Sequence, residues 1–270
     1  MKKLILAAAI VAFTGSAYAA DMPVKAPPAP PPPPSWTGFY IGINGGGGWG
    51  TVDTRAQDIG PDSFFAIGNI GAVQAGASRH FDTSGGLVGG QIGYLWQSGF
   101  LVTGFEAAFD WADINGSTSF GPQPYPVTPG STFAWNLRAK NDFLATFTSR
   151  AGIDMGNRYP YITSGVAMAH LKYSANFVDT FYPTNNTFNF SRDAWGWVLG
   201  AGAEMRVWDR WLLRGEYLHM DFAHVGGVGL IACTAGVGAC APGVPNSTNF
   251  IHDAKFREDI VRVALSYKFF

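Results

Sequence analysis

From Trp36 onward the chain alternates: in segments of about ten residues, every second position is apolar or aromatic and the positions between are polar or small. Successive side chains of a strand point to opposite faces, so such a segment makes a ribbon with one apolar and one polar side. Eight segments show it. They run at about Thr37 to Trp49, Gly86 to Gln97, Phe100 to Ile114, Asp142 to Asp154, Tyr159 to Tyr173, Ala194 to Val207, Trp211 to Phe222 and Asp259 to Phe270. In the third, Leu101, Thr103, Phe105, Ala107, Phe109 and Trp111 stand against Gly104, Glu106, Ala108 and Asp110. No segment after Trp36 carries a helical period.

The setting follows from what surrounds these ribbons. Charged residues are 14% of the chain, against about 25% in soluble domains, while aromatics reach 15%. Such a surface suits lipid. Yet no apolar run after the leader approaches the roughly 18 to 20 residues of a spanning helix. A chain that crosses a bilayer without such a helix must close its strands into a barrel, because unpaired backbone groups find no water in hydrocarbon.

Connections alternate as well. Tight turns are expected at Ser98-Gly99, Gly156-Asn157 and Trp208-Asp209-Arg210; about Gly50 to Gly85, Asn115 to Asn141, Ser174 to Asp193 and Ala223 to Glu258 are long and rich in Gly, Pro, Asn, Ser and Thr. That asymmetry belongs to outer-membrane barrels, with short periplasmic turns and long extracellular loops. The sequence therefore predicts an all-β fold: a single eight-stranded antiparallel transmembrane β-barrel. Its hairpins set Gln91 opposite Glu106, Arg150 opposite Thr163 and Glu204 opposite Arg214, each pair on the polar face. Two interfacial aromatic girdles are expected. One holds Trp36, Trp96, Phe100, Tyr159, Trp208, Trp211 and Phe269, the other Trp49, Trp111, Tyr173, Trp195 and Phe222.

The start of the chain reads as a secretory signal peptide, residues 1–19: Lys2 and Lys3, an apolar stretch from Leu4 to Phe13, then Ala17-Tyr18-Ala19. Residues 20–35 form a Pro-rich linker, an extended spacer whose periplasmic partner, if any, stays open, and residues 36–270 form the barrel. Without the leader's two lysines, 16 of the 18 basic residues remain against 19 acidic ones, a net charge of −3 with histidine neutral. A balance of that sign excludes nucleic acid as a partner.

Glu106, Asp110, Arg150, Glu204, Arg206, Arg214, Glu216, Arg262 and Lys268 all fall on polar faces. An Arg or Lys facing lipid at mid-bilayer costs roughly 2 to 4 kcal/mol, so these side chains are expected in the lumen. They would line an ion path or fill the bore as a salt-bridged plug. Nearly balanced signs and an eight-stranded bore, which side chains can fill, favour the plug.

Cys233 and Cys240, with six residues between them, are expected to form a loop disulfide in an exported protein. His219 and Asp221, followed by His224, repeat the spacing of His80 and Asp82. On a strand each pair would share a face, as a metal or a hydrolase at the barrel mouth would need, but no nucleophile with a positioned base accompanies them. Solvated rim residues are the plainer account. Gly45 to Gly48 lacks the Gly-Lys-Ser/Thr of a phosphate loop. No cofactor or metal is expected.

Trp36-Thr-Gly-Phe-Tyr-Ile-Gly-Ile-Asn-Gly-Gly after a Pro-rich leader, Tyr161-Ile-Thr-Ser-Gly-Val-Ala, Glu216-Tyr217, and the ending Arg262-Val-Ala-Leu-Ser-Tyr-Lys-Phe-Phe270 carry a resemblance. The chain resembles the small porin-family, OmpA-like outer-membrane β-barrel surface proteins of Alphaproteobacteria. The resemblance implies a C-terminal aromatic read by the barrel-insertion machinery, Phe269 or Phe270, and a role as a structural surface antigen. The expected function is non-enzymatic: supporting envelope integrity in the outer membrane and displaying surface loops, whose ligand is unknown. A small-solute porin is the alternative, and an enzyme at the barrel mouth comes third.

Overall fold

The computed structural model describes residues 35–59, 63, 65–181, 184–232 and 247–269. Its strands are β1 (Gly38–Asp58), β2 (His80–Ser98), β3 (Leu101–Pro124), β4 (Thr132–Ile153), β5 (Arg158–Asp179), β6 (Thr184–Trp208), β7 (Trp211–Phe222), β8 (Val225–Ala232) and β9 (Ser247–Lys268), with one helix, α1 (Ile67–Ala77). Every pairing is antiparallel, and β1 pairs with both β2 and β9, so the sheet closes into a ring. In the ring formed by β1 to β7 and β9, below the extended end, closure leaves no unpaired edge, the condition for a sheet in lipid.

Nine strands are present among the described residues where the sequence predicts eight. The extra one continues an existing stave. β7 pairs β9 from Tyr267 to Arg257, and β8 pairs it from Ala254 to Ser247, with a break at Ala223 and His224 between them. β8 reads Val-Gly-Gly-Val-Gly-Leu-Ile-Ala, and its glycines make it look like loop in sequence.

Much of what reads as long loop is strand. β1 runs on to Asp58, β3 reaches Pro124, β4 begins at Thr132 and β6 at Thr184. These extensions keep the period of two but invert the polarity. Within the lower barrel Val261 and Val263 of β9 face outward and Arg262 is buried; further along the same strand Arg257 and Lys255 face outward and Phe256, Ala254 and Phe250 are buried. The inversion marks where the wall leaves hydrocarbon: below it lipid is outside, above it water is. We take the membrane-spanning part of each strand as the stretch below this point, which on β1 ends at Trp49.

The helix is absent from the sequence reading because its eleven residues, Ile-Gly-Asn-Ile-Gly-Ala-Val-Gln-Ala-Gly-Ala, carry no apolar stripe or side-chain cap. It forms by packing. Val73 and Ala77 are fully buried against the upper core, and Trp135 Nε1 donates to the Val73 carbonyl at 3.1 Å. Tertiary contact of this kind supplies most of the stability of short helices.

Register follows the turns. Arg150 lies opposite Thr163 and Glu204 opposite Arg214, as the sequence predicts. At the first hairpin Ser98 pairs with Leu101, so the turn is Gly99-Phe100 with Gly99 at φ 60°, a conformation that favours glycine. Glu106 consequently pairs with Gly93, and Gln91 with Ala108. The slip is two residues, so the predicted faces survive.

Candidate functional site

Inside the barrel three layers stack along the axis. Nearest the turns lies an apolar cluster of Trp36, Tyr40, Leu95, Val102, Tyr159, Tyr161 and Leu212. A charged layer follows. Beyond it, in the extended end, a larger core includes Trp135, Tyr173, Phe177, Phe250 and Phe256.

The charged layer is organised around Glu106. Its Oε2 accepts from Tyr40 Oη at 2.8 Å and from Arg214 Nη1 at 2.5 Å, and Arg150 Nη2 pairs with the same oxygen. Its Oε1 lies 3.3 Å from Arg262 Nη2. Arg262 also donates through Nε to Glu216 Oε2 at 2.7 Å, and its Nη1 lies 3.3 Å from Asp110 Oδ2. Tyr161 Oη closes the second carboxylate, donating to Glu216 Oε1 at 2.8 Å. Beside this net, Asn44 Nδ2 donates to Gln91 Oε1 at 2.9 Å and Gln91 Nε2 to Ser266 Oγ at 3.0 Å.

Of the nine predicted lumen residues, Glu106, Asp110, Arg150, Glu204, Arg214, Glu216 and Arg262 form this layer, none of them more than 4% exposed. Arg206 and Lys268 do not join it. Arg206 stacks its guanidinium 3.9 Å from the Trp36 ring and donates to the Gly156 carbonyl at 2.8 Å, while Lys268 Nζ binds the Ser35 and Thr37 carbonyls. Both sit at the turn-end mouth, where their positions near the strand ends place them. Tyr40, Tyr161, Asn44 and Gln91 were not among the predicted site residues, although the parity that put Glu106 inside puts them inside too.

The aromatic girdles are smaller than expected. Trp96, Phe100, Trp208, Trp211 and Phe269 at one end, and Trp49, Trp111 and Trp195 at the other, are exposed on the outer wall. Trp36, Tyr159, Tyr173 and Phe222 are buried inside. Tyr159 shares its parity with inward Tyr161 and Thr163, and Trp36 folds under the bore, donating to Asp154 Oδ1 at 2.8 Å. Cys233, Cys240 and Phe270 lie outside the described residues.

Each histidine singled out in sequence pairs across strands rather than with the aspartate two positions on. His80 meets Asp53 at 2.8 Å, His219 meets Asp259 at 2.7 Å and His224 meets Asp253 at 2.6 Å, with His170 and Asp193 adding a fourth pair at 2.6 Å. The His80 hydrogen bond holds the Asp53 carboxyl below the usual carboxylate range. All four pairs lie on the outer wall. No group of three or more potential metal ligands occurs among the described residues.

A ring-closed antiparallel sheet with an apolar outer band and its charges turned inward is an outer-membrane β-barrel. Residues 5–269 match the model of the outer membrane protein beta-barrel domain family, and the chain belongs to that family. It is 32% identical over 276 residues to the 31 kDa outer-membrane immunogenic protein of Brucella melitensis biotype 1, covering 100% of each chain. It is 28% identical over 188 residues to the 22 kDa outer membrane protein of Rhizobium leguminosarum bv. viciae, covering 70% of this chain and 65% of that one. These relatives make it an alphaproteobacterial outer-membrane barrel protein, located in the outer membrane. Neither is named as an enzyme. Among solved structures, the outer membrane protein OprG of Pseudomonas aeruginosa is similar with a TM-score of 0.40 and 17% identity over 86% of this chain and 97% of its own.

Proposed function

We propose that the protein is a closed, non-enzymatic barrel that supports outer-membrane integrity and displays its extended end at the cell surface. The short turns then face the periplasm and the inverted strand extensions face outward. The observation that carries this reading is the lumen: seven charged side chains, none more than 4% exposed, lie between two apolar layers. A conducting pore needs its charges wetted and its path continuous. Here each of them lies within ion-pair distance of an opposite charge, as in a plug. Outer-membrane lipid is the partner of the apolar band, and the last strand, with Phe269 packed 5.7 Å from Phe39 across the β1–β9 closure, is the part the insertion machinery would read. Cys233 and Cys240 would staple the surface loop that carries them. The test is the conductance of purified full-length protein in planar bilayers. No steady conductance is expected; stable ohmic steps would replace this reading with the small-solute pore.

A further inference from the structure

Above the outward apolar band, on the wall formed by β1 and β9, the barrel carries a cleft of about 710 Å³ lined by Arg55, Arg79, His224, Lys255 and Arg257, with Asp53 and Asp253 among them. Four permanent cations thus face two carboxylates. Asp53 is engaged by His80 at 2.8 Å and Arg257 at 3.0 Å, and Asp253 by His224 at 2.6 Å. Lys255 reaches Asp221 at 3.1 Å. Among the described residues no carboxylate stands within ion-pair distance of Arg55 or Arg79, so the cleft keeps positive charge in excess.

Its position narrows what an anion there would be. Arg257 lies four residues beyond Val261, where the outward apolar run of β9 gives way to charged residues, which on a tilted strand is roughly 10 Å above the hydrocarbon edge. That is headgroup depth. Directly below, on the same two strands, Gly45 pairs with Val263 and Gly47 with Val261, leaving a shallow trough between exposed Val261, Val263 and Val88. A chain-bearing ligand would find a cationic seat above and an apolar track below, whereas a soluble anion would use only the seat.

We propose that this cleft binds the phosphate of an outer-leaflet lipid headgroup, with the acyl chain lying along the trough. Guanidinium forks match phosphate oxygens, and basic pockets at headgroup depth are the usual means by which membrane proteins select anionic lipids. The inference rests on the orientation given above, with the inverted extensions outward, and does not depend on whether the bore conducts.

The test is lipid retention by the full-length protein in neutral detergent, read by native mass spectrometry, with bis-phosphorylated lipid A as the probe. Wild type should retain one saturable lipid. Arg55→Gln combined with Lys255→Gln should weaken retention about tenfold or more, the loss of one or two charge-assisted contacts, while the protein keeps its heat-modifiable gel migration. Should the double variant fail to fold, Arg55→Gln alone decides, because it breaks no ion pair. Equal retention by variant and wild type, or equal retention of the same lipid stripped of its phosphates, overturns the proposal. Displacement of the lipid by submillimolar inorganic phosphate overturns the lipid as the source of the anion.

Discussion

Glu204 and Arg214 face each other across β6 and β7 but share no ion pair: Arg214 Nη1 reaches across the lumen to Glu106 Oε2 at 2.5 Å, and the guanidinium within reach of Glu204 is that of Arg150, at 3.6 Å. Register sets the two residues side by side, and from sequence alone adjacency would make them partners. In a narrow bore a long side chain is as close to the far wall as to its neighbour, and the carboxylate with the most donors wins. Glu106 is that carboxylate.

Its removal should therefore cost most. Glu106→Gln takes a carboxylate from three buried guanidinium groups, leaves Arg214 with none, and is expected to lower stability by roughly 3 to 5 kcal/mol, the range for breaking a buried pair. Glu204→Gln should cost less than about 1.5 kcal/mol, because neither of its carboxylate oxygens accepts a hydrogen bond. In double-mutant cycles Glu106 and Arg214 should couple strongly, whereas Glu204 and Arg214 should add to within about 0.5 kcal/mol. Midpoints of heat-modifiable migration measure both. Strong coupling between Glu204 and Arg214 would contradict the observed geometry.

How much of this was legible divides along one line. Parity was readable, so every inward charge of the plug could be named from alternation alone, and a two-residue register error at Gly99 left the faces intact. Chemistry type was a poorer guide. Tyr173 and Phe222 were placed at an interface because they are aromatic, but above the hydrocarbon the wall inverts and an aromatic belongs inside. The same inversion hid the strand extensions: Phe133, Trp135, Leu137 and Ala139 alternate with Ala134, Asn136, Arg138 and Lys140, a soluble barrel's pattern that reads as polar loop beside a membrane one. The α1 helix and the partner choice of Arg214 depend on contacts distant in sequence, which no local pattern encodes.

A second prediction concerns the glycine run of β1. Gly46 lies opposite Arg262, and a Cβ there would stand 2.7 Å from the Arg262 Cα, a backbone atom that cannot swing aside. Gly46→Val should therefore disturb the β1–β9 closure itself. The expected result is a clear fall in the fraction of unheated protein that migrates as folded barrel, while Gly71→Ala, whose added carbon meets nothing within 4 Å, leaves it unchanged. Equal yields for the two would show that the closure has more slack than the structure allows.

The upper core at the extended end should be separable from the membrane-spanning ring. Trp135 is fully buried, donates to the Val73 carbonyl and packs with its ring 4.7 Å from Phe177 at a tilt of 48°. Trp135→Ala removes a large aromatic from the upper core, a change that typically costs about 3 to 5 kcal/mol. The loss should be local. Added protease should cut between residues 59 and 79 in the variant and not in wild type, while the heat-modifiable shift of the barrel persists. Loss of the shift would mean the upper core and the membrane ring unfold as one unit.

The last prediction is a pH dependence confined to that upper core. His252 pairs with Ala56 on β1, seven residues past Trp49 and so outside the hydrocarbon, and it is 1% exposed among Trp135, Tyr173, Phe188, Phe190 and Phe250. Neither ring nitrogen has a hydrogen-bond partner. Burial in this apolar cage pushes its pKa from 6.5 down to about 4. The unfolded segment therefore takes up a proton below about 6.5 that the folded one refuses until about 4. Stability is complete above the unfolded value, falls through that window as pH drops, and levels off below it, for a loss of roughly 3 kcal/mol in all. Carboxylates elsewhere also titrate toward the lower end, so the comparison must be with His252→Phe, which fills the cage with a ring that cannot charge. Wild type should lose its near-ultraviolet aromatic signal at progressively lower temperature between pH 6.5 and 4, and His252→Phe should hold it nearly constant over the upper half of that range. Parallel melting curves for the two proteins from pH 7 to 5 would show that this imidazole is not what the fold keeps neutral.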